Sequence, residues 1–110
     1  MTEKEFWERV FGENSEYIDG IVQVRDSPGI YTGYTVSKSL DCLFQYAVPK
    51  LNNPKITLSF YSSIRDWYCR VQVEKYPFDV ALWANQEDHA HVLYNTIVKV
   101  FEQEKNDVNR

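Results

Sequence analysis

Apolar and polar positions change period several times along the chain, and each change predicts an element. Phe6 and Val10, then Trp7 and Phe11, stand four residues apart and share one helical face. Thr2-Glu3-Lys4-Glu5 ahead of them is a capping box, and Gly12 stands where a helix stop is expected. A short, strongly apolar N-terminal helix follows. From Ser37 the period is helical again: Leu40, Leu43, Phe44, Ala47, Val48 and Leu51 form a continuous stripe. Ser37 or Ser39 can cap this second helix. Pro49 should end or kink it, with Asn52-Asn53-Pro54 completing the stop.

Between these helices the pattern is weakest. Ile21-Val22-Gln23-Val24 suits a brief strand, Asp26-Ser27-Pro28-Gly29 is turn chemistry, and residues 30–35 read as an irregular aromatic loop. Beyond Pro54 the period becomes two. Ile56, Leu58 and Phe60 alternate with Thr57, Ser59 and Tyr61; Trp67, Cys69, Val71 and Val73 alternate with Tyr68, Arg70, Gln72 and Glu74. Two strands, 55–61 and 66–75, each with one buried face, are predicted, joined by a hairpin at Ser62-Ser63-Ile64-Arg65. Tyr76-Pro77 opens a third strand at 78–83, where alternation fades. Asn85 then caps a last helix, with Gln86-Glu87-Asp88 at the positive end of its dipole. Its stripe is Ala90, Leu93, Tyr94, Ile97, Val98 and Phe101, and a polar tail at 103–110 should fray.

The expected fold class is α+β, a single domain over residues 1–110. A three-stranded antiparallel sheet carries two long helices on one face. The short N-terminal helix covers Tyr61 and Tyr68 on the other, giving an α-β-α sandwich.

Composition narrows function by exclusion. A net charge of −4 opposes broad binding to nucleic acid or anionic membranes. Two cysteines are too few for a secreted disulfide framework. Met1 to Trp7 lacks the basic start and apolar run of a signal peptide, and no apolar run is long enough to span a bilayer. The expected location is the cytoplasm, with no membrane partner. Three Trp, eight Tyr and six Phe suit two packed layers in a small domain, and the alternative is an aromatic contact surface, since Tyr and Trp also populate interfaces.

Short motifs in a particular order carry a resemblance. Tyr31-Thr32, Ser39-Leu40-Asp41, Val48-Pro49, the Trp67-Tyr68-Cys69 strand and the Ala81, Ala84, Ala90 approach to the last helix resemble the small phage α-β-α sandwich domain family. The likeness runs from Tyr31 to Phe101. It departs in the extra residues Gly33 to Lys38 and in Leu93-Tyr94-Asn95, where small residues are expected. It implies a phage or prophage accessory protein with no established activity.

Candidate chemistry is thin. His89 and His91 are two apart, which on a helix turns them about 200° from each other, away from a shared metal. Cys69 lies in the apolar phase of its strand, as a buried, inert thiol would; pairing it with His89 or His91 as a nucleophile has no local pattern behind it. The carboxylates Asp41, Asp66, Asp79, Glu87 and Asp88 suit helix starts and turns, and the glycines form no phosphate loop. No catalytic, cofactor or metal residues are assigned.

The expected function is therefore a non-enzymatic interaction module. It binds another protein, or itself, through Tyr31, Tyr34, Trp7 and Trp83. The alternative is single-stranded nucleic acid on the sheet face of Tyr61, Tyr68 and Arg70, with Tyr76 near its edge, because rings beside a guanidinium stack bases.

Overall fold

The computed structural model describes residues 1–74, 79–84 and 88–108. The chain forms two compact units, Met1–Ser37 and Lys38–Arg110.

In the first unit, helix α1 (Glu3–Phe11) is capped as its sequence predicts. The Thr2 hydroxyl oxygen accepts from the Glu5 amide at 3.1 Å, and the hydroxyl itself donates to the Glu5 carboxylate. Gly12, at φ 100°, ends the helix by donating its N–H to Glu8. Phe6, Trp7 and Val10 are buried, and the Phe6 and Trp7 rings meet edge to face at 4.9 Å.

The stretch that reads as a loop is a sheet. Strands β1 (Ser15–Ile18), β2 (Ile21–Ser27) and β3 (Ile30–Thr35) pair antiparallel in sequence order. Asp19-Gly20 makes the first hairpin, both residues at positive φ (49° and 83°) as a type I′ turn requires. Pro28-Gly29 makes the second: proline presets φ at the first corner, and Gly29 takes φ 84° at the next. Pairing shifts between Arg25 and Ser27, leaving Asp26 as a one-residue bulge. Helix α1 packs on β1 and β2. Tyr17, Val22 and Tyr34 share one register row, and Tyr34 faces the helix, its ring 5.0 Å from Phe11.

In the second unit, strands β4 (Lys55–Tyr61), β5 (Asp66–Gln72) and β6 (Asp79–Ala84) form another antiparallel sheet in that order. The Ser62–Arg65 hairpin and the period-two faces lie where alternation puts them: Ile56 pairs with Val71, Leu58 with Cys69, Phe60 with Trp67. Helix α3 (His89–Val108) packs on β5 and β6, burying Val92, Leu93, Thr96, Ile97, Val100 and Phe101. It runs on to Val108, beyond the last apolar residue of the stripe. Its cap is Asp88, whose carboxylate accepts from the His91 amide at 2.7 Å. The predicted Asn85 cap with Gln86 and Glu87, and the strand opening at Tyr76-Pro77-Phe78, lie outside the described residues.

The second long helix does not form. After Ser39, which caps through a hydrogen bond from the Cys42 amide, only Leu40–Cys42 (α2) is α-helical. Leu43–Ala47 is a π-helical turn and Val48–Lys50 a 3₁₀ turn. Proline supplies the reason. Pro49 has no N–H for the Gln45 carbonyl, and its ring would strike that carbonyl in a regular helix. The backbone widens ahead of it, the Val48 N–H reaching back five residues to Leu43. Leu43, Ala47 and Leu51 stay buried while Phe44 turns outward.

The architecture is thus α+β with two antiparallel three-stranded sheets, and it overturns the expected single-sheet α-β-α sandwich. One long helix lies on the second sheet, α2 and the π turn pack against that helix, and α1 belongs to the first sheet. Among the described residues no helix is long and apolar enough to cross a membrane.

Candidate functional site

Register decides which rings meet. On the β5 face opposite the Cys69–Val71 phase, Tyr68 stands directly across from Trp83 of β6, and Arg70 across from Ala81. Tyr61, near the end of β4, pairs with Asp66 and is the diagonal neighbour of Tyr68. The three rings form a closed triangle: Tyr68 to Trp83 is 5.0 Å, Tyr61 to Trp83 is 5.1 Å, and Tyr61 to Tyr68 is 6.3 Å with planes at 87°.

Tilted and edge-on contacts of this kind suit the ring quadrupoles and hold the cluster without a core around it. Tyr61 remains 46% exposed and Trp83 49%. The rings lean on one another too closely to enclose a cage. They present a continuous aromatic platform.

This joins residues that sequence reasoning kept apart. Trp83 stood among the protein-contact residues, and Tyr61, Tyr68 and Arg70 on the nucleic-acid face; they share one surface. The other contact candidates separate. Trp7 is fully buried in the first unit, and Tyr34 is half-buried against Phe11, so neither ring is presented to a partner. Tyr31 is 60% exposed, on strand β3 rather than on a loop.

The chemical candidates are likewise placed. Cys69 is fully buried, and burial raises its thiol pKa against a smaller opposing effect of a hydrogen bond with Thr96. A nucleophile needs an accessible thiolate, which this position disfavours. Thr96 is itself buried, donating to the Val92 carbonyl at 2.7 Å. His89 is half-buried, its ring 5.0 Å from that of Trp67 and tilted at 41°. Among the described residues no three His, Cys, Asp or Glu side chains gather as metal ligands.

Charge is unevenly divided. Residues 1–37 hold Lys4, Arg9 and Arg25 against seven carboxylates, whereas residues 38–110 hold nine basic and nine acidic residues. The −4 of the chain belongs to the first unit, and the aromatic platform stands on a unit with no net charge.

No family model, curated protein or solved structure matches the chain.

Proposed function

We propose that the chain is a non-enzymatic interaction module that binds another protein through the platform of Tyr61, Tyr68 and Trp83. One observation carries the reading: a tryptophan and a tyrosine, each about half exposed, held in fixed contact on an open sheet face. Rings already in contact lose little side-chain freedom on binding, and desolvating them supplies a large part of an interface's energy. In this reading the protein works in the cytoplasm and, following the motif order, as a phage or prophage accessory protein.

The test is capture from host lysate with wild-type, Trp83→Ala and Tyr68→Ala chains, with and without nuclease, read by mass spectrometry. A protein retained by wild type, lost with either variant and indifferent to nuclease is the expected result. Retention by both variants overturns the reading.

Single-stranded nucleic acid is the second reading, favoured by Arg70 beside the rings and by the neutral balance of residues 38–110. It predicts salt-sensitive binding of oligonucleotides that Arg70→Ala weakens. Absence of binding at low salt removes it.

A further inference from the structure

The outer face of the first sheet, opposite α1, is a groove with a divided lining. Register lays three rows across the strands: Ile18, Ile21 and Thr35; then Glu16, Gln23 and Gly33; then Arg25 and Tyr31. Successive rows are two residues apart, about 7 Å. Around the first row lies a hollow of about 180 Å³ between Ile18, Ile21, Glu16 and Gln23. Glu16 and Gln23 also border a depression of about 290 Å³, lined further by Glu13, Arg25 and Tyr31. Ile18 is 58% exposed and Ile21 46%. Neighbouring aliphatic side chains on the solvent side of a sheet are what a partner covers.

Gly33 forms the floor of the middle row, and the chain itself gives no reason for a glycine there. It is not among the glycines with positive φ. A Cβ built on it meets nothing within 4 Å. Glycine weakens a strand interior, and without a Cβ it lets an outside backbone approach the sheet closely.

Charge selects the visitor. The unit carries −4, and of the charged side chains lining the groove Glu13 and Glu16 outnumber Arg25. A second copy of this face would bring two negative surfaces together, whereas a cationic segment is attracted.

We infer that the outer face of β1–β3 binds an extended peptide segment of another protein. The segment seats a large aliphatic side chain over Ile18 and Ile21 and passes its backbone over Gly33. Two or four residues further on, it places a Lys or Arg against Glu16 and Glu13. An extended segment turns alternate side chains to one side, so the aliphatic and the cation reach the two hollows together.

The probe is a set of fluorescein-labelled ten-residue peptides in which one Leu and one Lys are separated by one to five Ser or Thr residues. A matching set carries Glu in place of Lys. Anisotropy is measured against the full chain. Peptides with one or three intervening residues should bind at least tenfold more tightly than their Glu counterparts. Gly33→Val should weaken them at least tenfold without lowering Tm, and Glu16→Lys should reverse the charge preference. If Gly33→Val does not fold, Gly33→Ala, whose methyl enters open space, takes its place. Equal binding of Lys and Glu peptides, no binding by any of them, or full binding by a folded Gly33 variant overturns the inference.

Discussion

Tyr68 and Trp83 face each other across neighbouring strands, their ring centroids 5.0 Å apart at 53°. The pair fixes the platform: Tyr68 is half-buried beneath two more exposed rings, so it orients Trp83 and Tyr61 rather than meeting solvent broadly. An aromatic pair of this geometry contributes about 1 kcal/mol beyond area burial. A double-mutant cycle over Tyr68→Ala and Trp83→Ala should return a coupling near that size in denaturant unfolding. Additive losses would mean that the rings touch without supporting each other.

The three glycines of the first sheet should respond with opposite signs. Gly20 and Gly29 sit at φ 83° and 84°, where an L side chain is strained, and alanine at either should cost about 1–2 kcal/mol. Gly33 has no such conformation and open space above it, so Gly33→Ala should leave stability unchanged or raise it by up to about 1 kcal/mol. Urea midpoints of the three variants decide this. A loss at Gly33 equal to the others would show a conformational role for that residue.

Much of the second sheet was legible because its strands have one buried face. Ile56, Leu58 and Phe60 against Val71, Cys69 and Trp67 is a clean alternation. The first sheet hid for the converse reason. Tyr17 with Ile18, and Ile21 with Val22, put apolar residues on both sides of the strands, so alternation blurs. The available signal was Asp19-Gly20, a strong hairpin marker between two isoleucines. The apolar stripe from Leu40 to Leu51 was real but did not imply a regular helix, because Pro49 acts one turn upstream of itself. The platform was half legible. Strand phase puts Tyr61 and Tyr68 on one face, but Trp83 joins them only through the pairing of β5 with β6, where the period had faded.

Asp88 holds the start of α3 through the His91 amide. Asp88→Ala should cost about 1 kcal/mol, while Asp88→Asn and Asp88→Ser, which keep an acceptor, should cost less. Thermal unfolding of the three variants provides the comparison. Equal losses would mean that the carboxylate's charge at the helix start, rather than its hydrogen bond, is what matters.

Cys69 ties stability to alkaline pH. Burial raises its thiol pKa above the ordinary value of 9.0, so the folded chain keeps a proton that the unfolded chain gives up first. The contribution is whole below the unfolded value and is lost as pH rises from there through the folded one. The stability advantage of wild type over Cys69→Ala should therefore shrink as pH rises beyond the ordinary thiol value. Cys42, half-buried and likewise outside any disulfide, is present in both chains, so it drops out of the difference. A maleimide should label Cys42 in the folded protein and reach Cys69 only at the rate of unfolding. A pH-independent difference, together with rapid native labelling of both thiols, would place Cys69 at the surface and return it to consideration as a reactive group.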